Sequence, residues 1–586
     1  MISLLKKLHL NVFFIPVLLG IVLGYFTYRV NVKNGITNHA IRSDGTGYYA
    51  YLPAIFIYND LQFDFLDDKN LINDDGASRV TLDNGKIVNK YTCGLAFLQF
   101  PFFLIAYFLS FLFGQSPDGY APIFQWFFLL GNTVYFTVGL VFLNKILHFF
   151  RIKTWIAIWV LLVFTAGNSV LHYTTYDAYH SHAFSLSLMI GLVYFILQFE
   201  QTPKKKYAIF IGVLFGLITL VRPFNLIAII CLPILFHQAK QIAGIISNVF
   251  PYILYFLIPF ILTLSIQLVL WKIQTGSFIL YSYGSESFIW GTHDPWFALF
   301  SYRRGFFIYN PIWLIAIIFY LYHFKKISFS FISIIGAFGI LVVLLSSWHK
   351  KSFGLCLGYR PLIEYQIFLL FPFLQLMNHR NFKPRYTAFI LSIVSGLCIW
   401  YSIILSLQYQ RNILKWEGPN KAEYWEIFGK TDARLKYHFF YPEQLVNTGY
   451  KQVEIHFNNS QVFSDTGIIV YPDSFTSDPI KGIGYYAKMR VSNPNYAMGV
   501  LDFYAGDQLL KWKHKLLSKD IKVENRIAPF YIDDFIRDTS INKIVLKFDN
   551  IREASFLEVQ NSAKLILFTE PIQHEKRDST NFRSNF

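Results

Sequence analysis

The sequence predicts a polytopic α-helical membrane protein with a C-terminal, β-sandwich-like domain outside the bilayer. Three observations carry this. Of 586 residues, 54% are hydrophobic and only 15% charged, where soluble domains average about a quarter charged. Apolar runs of roughly 17 to 25 residues, each able to cross the hydrocarbon core, recur as far as Gln408. Past Asn412 they give way to short alternating stretches such as "QVEIHF", "GIIVY", "NKIVLKF" and "AKLILF", broken by Asn, Asp, Gly and Pro. That is the chemistry of strands and turns. The aromatic content of 19% suits interfacial belts. A net charge of +16 does not point to nucleic acid, because the basic residues fall between apolar runs rather than along one polar face.

Taken in chain order, Lys6 and Lys7 precede the first run, Val12 to Val30, and place the N-terminus in the cytoplasm. The run lacks a small-residue cleavage site and reads as an uncleaved first helix. Runs near 121–144 and 154–171 are joined by Lys145, Arg151 and Lys153, and those near 183–199 and 207–221 by Lys204, Lys205 and Lys206. Lys240, Lys325 with Lys326, and Arg380, Lys383 and Arg385 mark later turns, with Glu200 the one acid among these loops. All read as cytoplasmic. If Cys93 to Phe113 crossed the membrane, every later basic loop would switch sides, so this stretch is expected to lie in or dip into the outer interface. The expectation is about eleven spans: a transmembrane domain over 1–410, with 31–120 as its first external loop, a β-rich domain over 430–575 and a polar tail over 576–586. Cys93, Cys231, Cys356 and Cys398 form no CxxC pair, and a Cys93–Cys356 pairing stays open.

This orientation sorts the polar residues by side. The outer face receives the loop holding Asp44 and Lys90, "HYTTYDAYHSH" (172–182), "VRPF" (221–224), the 271–305 segment and "SSWHKKSFGLCLGYRPLIEY" (346–365). Ionisable groups at membrane depth are costly and mark function. An outward site has no nucleotide sugar to draw on, so its substrate would arrive already activated and lipid-borne.

Six segments, in this order, carry a resemblance: "SDGTGYYAYLPAIF", "KYTCGLAFLQFPFFL", "YDAYHSHAFSLSL", "LVRPFNL", "SYRRGFFIYNPIWL" and "WHKKSFGLCLGYRPLIEY". Over roughly 1–405 the chain resembles the GT-C superfamily of integral-membrane glycosyltransferases, in the branch of protein O-mannosyltransferases and the aminoarabinose transferase of lipid A. The resemblance implies a polyprenyl-phosphate sugar donor, a protein, lipid or glycan acceptor, a cell-envelope membrane with the site on the periplasmic side, and a catalytic acid in the first external loop. By that resemblance the acid is Asp44.

The chemistry also wants a carboxylate there. Inverting glycosyl transfer needs a base for the acceptor hydroxyl as the anomeric carbon gains positive charge. Gly45 and Gly47 are expected to let backbone approach a sugar, and Tyr48, Tyr49, Tyr51, Tyr359 and Glu364 to wall the pocket. The plainer reading of Asp44 is a helix cap. Lys90, Arg222, Arg303, Arg304 and Arg360 are candidates for the donor phosphate, arginine because its planar fork binds two phosphate oxygens; the plainer reading is anchoring at the headgroups. His180 and His182 are assigned hydrogen bonds to sugar or phosphate. A divalent metal on His-x-His is the lesser alternative, since Gly45 stands where many relatives have a second acid. The rival functions are a polyprenyl-linked sugar carrier or flippase, and a membrane scaffold that binds glycans. The β-domain, with Tyr441, Tyr471, Tyr485, Tyr486 and Phe503, is expected to contact the acceptor or to brace the loops, without chemistry of its own.

Overall fold

In a computed structural model the chain divides into two compact units, Met1–Thr431 and Asp432–Phe586. The structure describes 12–32, 40–68, 71, 78–82, 84–379 and 385–431 (385–390 as backbone only) and, within 432–586, the strands. Lys6, Lys7, Arg380, Lys383, Tyr441, Tyr471 and the 576–586 tail lie outside the described residues.

The first unit is mostly helical. The elements that build the site are α1 (Phe14–Val32), α2 (Asp44–Tyr49), α3 (Gly94–Leu112), α4 (Pro122–Phe149), α5 (His182–Gln201), α6 (Lys205–Val221), α7 (Ile253–Thr275) and α8 (Phe324–Ser346). Among the described residues seven helices are long and apolar enough to cross a membrane: α1, α3, α4, α5, the stretch Ala239–Thr275 ending in α7, α8 and Leu391–Gln410. The count of eleven is not confirmed by length and composition. Four further apolar segments, Thr154–Ala166, Pro223–Leu235, Pro311–Tyr322 and Gln366–Met377, are shorter. The last is buried almost throughout, and broken or short helices are tolerated at membrane depth where protein covers their ends.

The bundle has two chemically distinct ends. α1 and α4 run antiparallel, with Gly20 against Thr137 and the Asn144 amide on the Val12 carbonyl at 2.9 Å. Lys145 lies 5.7 Å from the Phe13 ring and 5.5 Å from the Tyr194 ring, so the start of α1, the end of α4 and the later part of α5 share the basic end. At the other end of α1, Asn31 donates to the Thr175 carbonyl at 2.9 Å. α5 starts there at His182 and ends beside Lys204–Lys206. At 1.5 Å per residue its 20 residues separate the two ends by roughly 30 Å, about one hydrocarbon thickness. Reporter fusions within 145–153 and 204–206 are therefore expected to read cytoplasmic, and an external signal at either would reverse the orientation.

α3 is a continuous 19-residue helix, long enough to cross, yet its register on α4 bears on the interface reading. Tyr135 donates to the Leu98 carbonyl at 3.0 Å, Gln99 to the Phe128 carbonyl at 2.9 Å, and Phe103 meets Phe124 at 5.6 Å. These contacts lie on 124–135 and run antiparallel, while Gly139 faces α5 instead. α3 thus starts at the level of the site, part-way along α4, and runs away from the basic end. Its start is fixed by Gly94, where a Cβ would fall 2.4 Å from the backbone of Leu220 and Val221; only glycine permits that approach.

Residues 411–431 belong to this unit. Gln408 donates to the carbonyls of Ile427 and Lys430, at 2.5 and 2.7 Å, and Tyr401 hydrogen-bonds Tyr424. All four cysteines are free and buried.

The second unit is described as strands β3 (Tyr450–His456), β4 (Ile468–Val470), β5 (Ile480–Val491), β6 (Met498–Ala505), β7 (Gln508–Leu516), β8 (Ala528–Phe535), β9 (Lys543–Asp549), β10 (Leu557–Val559) and β11 (Lys564–Pro571), after the short hairpin β1 (Arg79–Thr81)–β2 (Ile87–Asn89) in the first. They pair antiparallel in two sheets, one ordered β10-β5-β11-β3 with β8 also on β5, the other β4-β9-β6-β7. Leu501, Phe503, Ile544 and Leu546 are buried, at alternate positions on β6 and β9, as a one-faced core requires.

Candidate active site

Asp44 opens α2, but it is not the cap. Ser43 holds the N-cap position with φ 51°, a conformation rare for a residue with a Cβ, and makes no side-chain cap bond. The Asp44 carboxylate turns instead to three partners. Its Oδ2 lies 3.0 Å from Nη2 of Arg360 and 3.5 Å from Nδ1 of His180, and its Oδ1 accepts from the Tyr91 hydroxyl at 2.9 Å. Burial pushes this carboxyl up, but Arg360, His180 and Tyr91 together outweigh it and hold Asp44 well below the usual carboxylate range. Burial and the adjacent Arg360 push the His180 imidazole down, which keeps it neutral at pH 7.

The same carboxylate–histidine–arginine grouping occurs twice more. Glu364 Oε1 lies 3.1 Å from Nδ1 of His182 and 3.4 Å from Nη1 of Arg222. Asp177 lies 3.0 Å from Nε2 of His172 and 3.6 Å from Nη2 of Arg42. Exposure separates the three acids: the side chain of Asp44 is 22% exposed, that of Asp177 2% and that of Glu364 0%. Of the three, Asp44 lines a large, partly polar cavity. That cavity is about 540 Å³, with a polar wall that includes Asp44, Lys90, Tyr91, Arg222, Glu286 and Arg360 and an apolar wall that includes Phe224, Trp271, Phe288 and Trp348.

Several assignments from sequence change in three dimensions. Gly45 and Gly47 do not face the cavity. A Cβ on Gly45 would meet Tyr179 at 2.9 Å and one on Gly47 would meet Tyr91 at 2.4 Å, so they admit protein rather than sugar. Tyr48 lines the cavity and packs on Tyr91 at 4.4 Å. Tyr49 is turned away, its hydroxyl on the Gly119 carbonyl and its ring among Phe103, Tyr120 and Phe128. Tyr51 bonds the Tyr91 carbonyl at 2.8 Å and so steadies Tyr91 from behind. Tyr359 is buried against Phe353, and Glu364 is buried in its ion pair; neither is a wall. His180 and His182 serve different acids, so His-x-His does not form a single donor set.

Arg303 and Arg304 are held by backbone carbonyls. Arg304 is 1% exposed and gives its guanidinium to the carbonyls of Cys356, Gly354 and Trp416. Arg303 is exposed and donates to the Glu417 carbonyl at 2.9 Å. Neither lines the Asp44 cavity. Arg304→Ala strands buried carbonyls and is expected to cost about 3 kcal/mol of stability, read as a lower melting temperature. Arg303→Ala should stay within about 0.5 kcal/mol.

Lys90 is held by an acid that sequence reasoning passed over: its Nζ lies 2.6 Å from Oε1 of Glu286, and the Ser282 hydroxyl donates to the Lys90 carbonyl at 2.8 Å. Tyr91, also overlooked, was signalled by its place next to Lys90, and Glu286 by being the first acid of the 271–305 segment. No family model matches this chain, and neither a curated protein nor a solved structure does.

Proposed function

We propose that the chain is an integral-membrane glycosyltransferase, inverting, that moves a hexose or pentose from a polyprenyl phosphate to a hydroxyl acceptor at the periplasmic end of the bundle. The observation that carries the reading is the cavity itself: a partly exposed Asp44 carboxylate beside Arg360 and Arg222, with the Lys90–Glu286 pair in the same wall, opposite an aromatic wall. An amphiphile with an anionic head suits both walls. Asp44 takes the acceptor proton as the sugar's anomeric carbon parts from phosphate. Arg222, Arg360 and Lys90 neutralise the departing phosphate, which leaves with the bonding electron pair. The buried Glu364–His182 pair holds Arg222 toward the cavity. The β-rich unit is proposed to bind the acceptor, without chemistry of its own.

The orientation, and with it the periplasmic site in an inner membrane, is supported by the basic turns gathering at the far end of the bundle. A carrier is disfavoured because the ionised clusters lie at helix ends rather than along a path through the spans. Proteoliposomes loaded with a labelled polyprenyl-phosphate sugar test this reading. Label bound covalently to a hydroxyl acceptor supports the transferase. Label that crosses with its lipid linkage intact contradicts it.

A further inference from the structure

A base must offer an open lone pair to the acceptor hydroxyl, and both oxygens of Asp44 already have partners. Oδ1 accepts from Tyr91, and Oδ2 is shared by Arg360 and His180. Tyr91 is fixed from several sides: its N–H donates to Asn89 Oδ1, its carbonyl accepts from Tyr51, and its ring packs on Tyr48. His180 is buried between the rings of Tyr173 and Tyr179. Arg360 differs. It carries a permanent charge, lines the cavity, and stands on a short 3-10 turn after Gly358, whose φ is 64°. Its other nitrogen, Nη1, faces only the neutral His180 ring at 3.2 Å. Asp44 is thus its one carboxylate partner among the described residues. The remaining ionisable groups near Asp44 are Tyr48, Tyr179 and Tyr283, with Arg222 beyond Tyr48; none has a geometry that could replace Arg360 on Oδ2.

We propose that Arg360 is a handover group: it holds Asp44 until the donor enters, then turns to the donor's phosphate and leaves Oδ2 open for the acceptor hydroxyl. This rests on the polyprenyl-phosphate reading above and adds an order to it, donor first and acceptor second. A guanidinium can bind two oxygens of the donor's phosphodiester in place of one shared carboxylate oxygen, and it gains a dianionic partner when the prenyl phosphate departs, so the exchange is driven by the ligand. During transfer the acceptor O–H proton passes to Asp44 and the new C–O bond forms as the C–O bond to phosphate breaks. The phosphate departs with its electron pair. Asp44 then releases its proton to water, and Arg360 returns.

The test needs no turnover. Binding of a soluble prenyl monophosphate, farnesyl phosphate, is measured by calorimetry on the full-length purified protein and its variants. If phosphate and Asp44 compete for Arg360, Asp44→Asn should tighten binding at least about 5-fold, a normal coupling size. In the Arg360→Ala background the same change should do nothing. Arg360→Gln, which keeps most of the volume, serves should the alanine variant fail to purify. Tightening that persists without Arg360 would be a general field effect and would overturn the handover, as would unchanged or weaker binding in Asp44→Asn. Native protein that binds no prenyl phosphate would overturn the donor reading and the handover together; binding with a flat cycle overturns the handover alone.

Discussion

Asp44→Asn is expected to lower turnover at least ~100-fold, the usual size for loss of a general base, with the protein still folded. The asparagine carbonyl can still accept from Tyr91, so the local packing has a substitute for one of its contacts. What it cannot do is accept a proton. Neither Glu364 nor Asp177 can take over, because each is closed off from the cavity with its own histidine and arginine. Near-native turnover in a folded Asp44→Asn protein would end the assignment of Asp44 as the base.

Arg360→Ala should have the second largest effect, raising the donor KM by about 10- to 100-fold, as expected for a lost charged hydrogen bond, with little change in acceptor KM. Arg360→Lys should recover only part, because an ammonium lacks the fork. A pH signature goes with it. Arg360, with His180 and Tyr91, holds Asp44 below its ordinary range, so the proton-accepting form persists to low pH in the native enzyme and is lost only as pH falls through that lowered value. Without Arg360 the carboxyl rises, so the acid limb of kcat/KM for the donor, which reports the free enzyme, should move to higher pH. A limb that stays put, with unchanged donor kinetics, would leave Arg360 a positional anchor.

The sequence disclosed the class of fold and one part of the site, for identifiable reasons. Long apolar runs and the change of pattern after Asn412 are local signals, readable without a partner. The first acid after the opening apolar run is also a local signal, and Asp44 does stand in the cavity. The pairings are not local. Lys90 and Glu286 lie 196 residues apart, and no periodicity joins them. Arg303 and Arg304 looked like phosphate ligands from their place at a helix start. Their role is decided by the carbonyls of Gly354, Cys356, Trp416 and Glu417, which only the folded chain brings near. Gly45 and Gly47 show the same limit: the small residue was correctly read as a close approach, but what approaches is Tyr179 and Tyr91. Span counting from sequence is coarse where helices are short and covered by neighbours, as in Gln366–Met377, because hydropathy does not record what lies against a segment.

The claim at the centre is covalent transfer at the Asp44 cavity, and a single-turnover reaction measures it most directly. Detergent-purified protein is mixed with a polyprenyl-phosphate sugar labelled in both halves and with a hydroxyl acceptor. The account predicts one polyprenyl phosphate freed for each sugar transferred, with the new glycosidic bond inverted. Donor that binds and is recovered intact, or a product with retained configuration, would contradict it.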